Sequence, residues 1–145
     1  MKRGGPLKRT SQLKRGGRLR QQSTKTARIE RAAAPLRREW KAEAGCCMAC
    51  GYRGQLVGHE ISNGGTRRQS LALPFCVLIL CGYCNTGPFM SKRIWPVARQ
   101  LCLLMIRAPD RYDLKAYLEF KHPRAPLAIT QGEVDAYKES IPCQC

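Results

Sequence analysis

Cys47-Met48-Ala49-Cys50 and, further along the same chain, Cys81-Gly82-Tyr83-Cys84 are two C-x-x-C units separated by 30 residues. A C-x-x-C turn presents two thiolates to one side, and two such turns supply the four ligands of a tetrahedral ion. The spacing predicts one structural Zn²⁺ held by Cys47, Cys50, Cys81 and Cys84. Knuckle amides near Gly51 and Gly82 would support it. Cys46 has the wrong spacing to Cys50, and Cys76 and Cys102 lie among apolar residues, as core cysteines do. The chain has nine cysteines, an odd number, and its N-terminus lacks an apolar leader stretch. Both observations favour metal binding in a reducing compartment over a secreted disulfide scaffold, and cytoplasmic residence is expected.

Outward from the cysteines, the elements are short. Gln55 to Ile61 is predicted as a strand, ended by the turn Asn63-Gly64-Gly65. Phe75 to Leu80 is predicted as a second strand, apolar on both faces and therefore buried. A helix is expected to start near Cys84 or Asn85. Thr26 to Ala44 reads as helix, with Pro35 opening a second helical piece and Trp40 anchoring it. Val97, Leu101, Leu104 and Met105 recur at helical spacing. Asp113 caps a further helix to Phe120, and Gly132 to Lys138 forms a last one. Cys143 and Cys145 belong to a frayed terminus.

The charge is uneven. The 145 residues carry 26 Lys and Arg against 10 Asp and Glu, a net charge of +16. Residues 1–41 hold 14 of the basic residues against Glu30 and Glu39, or +12, which leaves +4 for the rest. Pro6-Leu7-Lys8-Arg9, Gln12-Leu13-Lys14-Arg15 and Gly17-Arg18-Leu19-Arg20 form a loose repeat too polar to fold alone. It reads as a disordered basic arm whose Lys8, Arg9, Lys14 and Arg15 contact nucleic-acid phosphates. DNA is the expected partner, with RNA as the other polyanion of this kind. The apolar run Cys76–Cys81 is too short to cross a bilayer, so no membrane partner is expected. Monomer and homodimer both remain open.

The chemistry-bearing residues lie between and beside the knuckles. His59 ends the first strand, and Asn85 follows the last cysteine. If zinc pins the knuckles together, His59 and Asn85 face one another across the hairpin and the helix start. An imidazole there can act as general base on water, while an amide oxygen helps hold Mg²⁺ or Mn²⁺ on a scissile phosphate. Two blander roles stand beside these: His59 as a structural histidine or replacement zinc ligand, and Asn85 as a helix cap. Arg67 and Arg68 after the Gly-Gly turn, and Lys92 and Arg93 beyond the second knuckle, are phosphate-clamp candidates or solvated surface.

Cys47-Met-Ala-Cys-Gly51, Gly58-His-Glu-Ile-Ser-Asn-Gly-Gly65 and Leu78-Ile-Leu-Cys-Gly-Tyr-Cys-Asn85 together resemble the HNH endonucleases. These are the ββα-metal nucleases, here of the zinc-stapled type encoded by phages and bacteria. The resemblance covers residues 46 to about 95. It implies an α+β fold with a small zinc-bound ββα-metal core, a catalytic His59 and an Asn-ended metal site at Asn85. The expected organisation is a basic arm (1–25), a helical linker (26–45), the HNH core (46–95) and a helical extension (96–145). Two positions depart from the pattern. Gly58 stands where a second metal ligand is expected, leaving Asn85, phosphate and water, or Glu60 as a recruit. The middle Asn is also displaced: Asn63 is early, and Gln69 or Ser70 sits nearer its place. The implied activity is metal-dependent phosphodiester hydrolysis. The competing expectations are a non-catalytic zinc-ribbon module that binds DNA or RNA, and a redox dithiol protein, which would need a thioredoxin-like frame that the sequence lacks.

Overall fold

In the computed structural model, residues 24–61, 68–87, 94–122 and 128–141 are described. Helix α1 spans Thr24–Ala44, strand β1 Leu56–Glu60, strand β2 Val77–Cys81 and helix α2 Gly82–Thr86. Helices α3 (Val97–Arg107), α4 (Leu114–Lys121) and α5 (Gln131–Asp135) follow. The class is α+β. No helix among the described residues is long and apolar enough to cross a membrane.

The two strands pair antiparallel, with Val57 opposite Leu80 and His59 opposite Leu78. Successive side chains alternate between faces, so Val57 and His59 share one face while Leu56, Gly58 and Glu60 share the other. Helix α1 covers the Gly58–Glu60 face, and α2 and α3 meet the His59 face. Covered on both sides, β2 is buried along its whole length, which accounts for its unbroken apolar run. Leu101, Leu103 and Leu104 of α3, Tyr117 of α4 and Val134 of α5 complete the core, each with no exposed surface. Cys76 and Cys102 belong to it as expected.

Three local expectations need correction. Helix α1 runs through Pro35 without a break. Proline removes one backbone hydrogen bond, but buried Ala33 and Trp40 hold the turns on either side of it to the core. The second strand starts at Val77, because Pro74–Cys76 forms a 3₁₀ turn. Helix α2 begins at Gly82, earlier than predicted, since Cys81 itself is the N-cap and its sulfur accepts from the Cys84 N–H. Asp113 caps α4 as predicted, by accepting from the Ala116 N–H at 2.8 Å. Helix α5 opens with a full capping box between Thr130 and Glu133.

Candidate functional site

The cysteine quartet is assembled by backbone hydrogen bonds at the edge of the hairpin. Met48 N–H donates to the Ile79 carbonyl at 2.9 Å, laying the first knuckle along the outer edge of β2. Cys81 lies two residues further along that strand. The first knuckle closes through Gly51 N–H to the Cys47 carbonyl at 2.8 Å. Gly51 has φ +74°, a left-handed conformation that favours glycine. Gly82 has no such constraint: a Cβ there would meet open space.

The four thiol sulfurs lie within 4.8 Å of one another, and Cys50 Sγ is 3.7 Å from Cys81 Sγ. Sulfurs bound tetrahedrally at about 2.3 Å from zinc stand about 3.8 Å apart, so the quartet has the size and donor set to bind such an ion. Burial pushes the Cys50 and Cys84 thiols up. Burial opposes ionisation of Cys81 too, but the Cys84 N–H and the neighbouring thiols outweigh it and draw that thiol down.

His59 and Asn85 converge. His59 Nδ1 lies 2.8 Å from Asn85 Oδ1. Cys81 occupies the N-cap position of α2, so Asn85 is not a helix cap. A third residue that the sequence reading missed completes the group: Gln100 of α3, whose Oε1 is 3.2 Å from His59 Nε2. Gln100 is 2% exposed, and its Nε2 donates to the Trp95 carbonyl at 2.8 Å. That bond fixes which end of the amide faces His59, so His59 Nε2 must be the N–H donor. The remaining nitrogen, Nδ1, then faces an amide oxygen. Two lone pairs at that distance require a proton between them, or an Asn85 amide turned end for end. The signal for Gln100 was present in the sequence as a polar residue inside the apolar stripe of α3.

Gly58 does not leave a gap in this group. A Cβ at position 58 would lie 3.2 Å from Arg37 Cζ and 3.4 Å from Val77 Cγ1. A ligand there would therefore point at α1, away from Asn85. Glu60 points the same way and cannot serve as the recruited ligand. It is 7% exposed and forms an ion pair with Arg37, a partner that the sequence reading did not name. Arg37 Nε also donates to the Leu71 carbonyl at 3.2 Å, tying α1 to the segment before β2.

Of the phosphate candidates, Arg68 lies against α1 and donates to Thr26 Oγ1 at 3.1 Å. Arg67, Lys92, Arg93, Lys8, Arg9, Lys14 and Arg15 lie outside the described residues, as do Asn63, Cys143 and Cys145. Lys25, Arg28, Arg31 and Arg38 are exposed along α1. Comparison with protein-family models, with curated proteins and with solved structures finds no match for this chain.

Proposed function

We propose that the chain is a metal-dependent DNA endonuclease of the HNH, ββα-metal type. The observation that carries the reading is the 2.8 Å approach of His59 Nδ1 to Asn85 Oδ1 beside a zinc-sized cysteine quartet. In this reading Cys47, Cys50, Cys81 and Cys84 hold a structural zinc and take no part in the chemistry. Asn85 Oδ1 would hold Mg²⁺ or Mn²⁺, which supplies Lewis-acid stabilisation of charge on the phosphate and leaving oxygen. His59 Nδ1 takes the proton of the attacking water, and Gln100 keeps the other ring proton on Nε2. Once Nδ1 is protonated, Asn85 Oδ1 accepts its hydrogen bond. The exposed cations of α1 and the basic N-terminal segment hold DNA through its phosphates, so affinity falls as salt rises.

The test is plasmid nicking by zinc-replete protein with Mg²⁺ or Mn²⁺. Wild type is expected to cut, and His59→Ala to lose about 10²–10⁴-fold in rate. Intact DNA under every metal tried, with zinc content verified, sinks the reading. One observation favours a second reading, a non-catalytic zinc-ribbon module for DNA or RNA. Both His59 ring nitrogens have partners within the chain, as a structural histidine does. Tight DNA binding without cutting selects that alternative.

A further inference from the structure

A cleft of about 530 Å³ opens beside the cysteine quartet. Tyr52 and Tyr83 line it together with Gln55, Val57, Cys50 and Cys81. Both tyrosines are unusually open to solvent, at 56% and 68% exposure. A ring left this exposed contributes little to the core and offers a flat stacking surface. Tyr52 is also held close over the chain: a Cβ at Gly54 would overlap its ring, so the glycine gives the ring its seat. Among the described residues no carboxylate lines the cleft, Arg53 beside Tyr52 is exposed, and the chain carries a net charge of +16. An aromatic slot without acidic groups on so basic a protein fits a nucleobase, whose π face stacks while Gln55 can bond its edge.

The position relative to His59 is equally specific. Val57 lines the cleft, and His59 is the next residue on the same face of β1, about 6.8 Å further along the strand. The cleft therefore adjoins His59 along one face of β1.

We propose that the Tyr52–Tyr83 cleft binds an unstacked nucleobase of single-stranded nucleic acid, next to the phosphate presented to His59 and Asn85. The position of that phosphate rests on the nuclease reading; the base site itself does not. The experiment measures binding of fluorescein-labelled oligothymidylate by the full chain, zinc-replete and with no added divalent ion. A strand of equal length made abasic and a duplex of equal length are the comparisons. Tyr52→Ala and Tyr83→Ala are each expected to weaken oligothymidylate binding about tenfold, and the Phe variants to retain it. The abasic strand is expected to bind weakly and to be indifferent to the substitutions. Duplex binding is expected to change by less than about twofold, since paired bases stay stacked.

Unchanged strand affinity in both Ala variants overturns the proposal. So does wild-type protein that binds the abasic strand as tightly as oligothymidylate, a result independent of how any variant folds. Loss of self-association in the Ala variants with strand affinity unchanged makes the cleft a contact between copies and also overturns it. Cleavage plays no part in the readout. Tyrosine-dependent binding by a protein that never cuts removes the nuclease and keeps the base site; cutting with tyrosine-independent binding does the reverse.

Discussion

The two faces of β1 make opposite uses of polar residues. On one face His59 meets two neutral amides, Asn85 and Gln100, and Val57 beside it borders an open cleft. On the other, Glu60 is closed into an ion pair with Arg37, and Gly58 leaves room for that guanidinium. Neutral amides bring no fixed charge to the imidazole. A carboxylate matched to an arginine is already satisfied, and removing either member leaves a charge with reduced access to water. The difference teaches that one strand of five residues can carry a face of neutral amide contacts and a face closed by an ion pair, with the one-residue alternation deciding which is which.

The largest effect is expected at the cysteine quartet. Stripping zinc with a chelator, or Cys81→Ser, is expected to abolish cooperative folding. Structural zinc contributes about 10–16 kcal/mol in small domains, as much as the whole stability of most. Far-UV circular dichroism alongside zinc content checks this; native spectra in zinc-free protein would show that the apolar core suffices. Next, Glu60→Ala should destabilise by about 3 kcal/mol in denaturant titration, because Arg37 loses its partner. DNA cutting by the folded fraction should be unchanged, and lost cutting would mean that the faces are not independent. Gly58→Asp should cost about 1 kcal/mol by crowding Arg37 and Val77. It should neither raise activity nor alter the Mg²⁺ requirement, and a gain in either would make position 58 act with His59 after all. Asn85→Ala should have the smallest effect on stability, under about 1 kcal/mol, while weakening the dependence of cutting on Mg²⁺ concentration. A large stability loss with an unaltered metal requirement would make Asn85 structural.

Much of the scaffold was legible in the sequence because it is written in local patterns. C-x-x-C spacing, the two-sided apolar run of β2, the α3 stripe at Val97, Leu101 and Leu104, and the Asp113 cap all depend on residues within a turn or two of one another. His59 and Asn85 were legible as a pair because one lies between the cysteine pairs and the other directly follows the second pair. The pairing of Gln100 with His59, the Arg37–Glu60 ion pair and the Tyr52–Tyr83 cleft were not, since each joins elements far apart in the chain and no local period encodes which helix lies on which face. Pro35 misled because propensity scores a single hydrogen bond while burial of Ala33 and Trp40 decides the outcome.

The sequence by itself determined that two cysteine pairs could close on one ion, with a histidine between the pairs and an asparagine directly after the last cysteine. Only the tertiary structure decided what the closure does to strand β1. By setting α1 against Gly58 and Glu60, and α2 and α3 against His59, it made the glycine at position 58 a matter of packing against Arg37 and Val77. It also gave His59 a glutamine that no spacing rule would have assigned to it. The physical reason is that a strand's faces are equivalent until helices cover them, and the cover comes from residues distant in sequence.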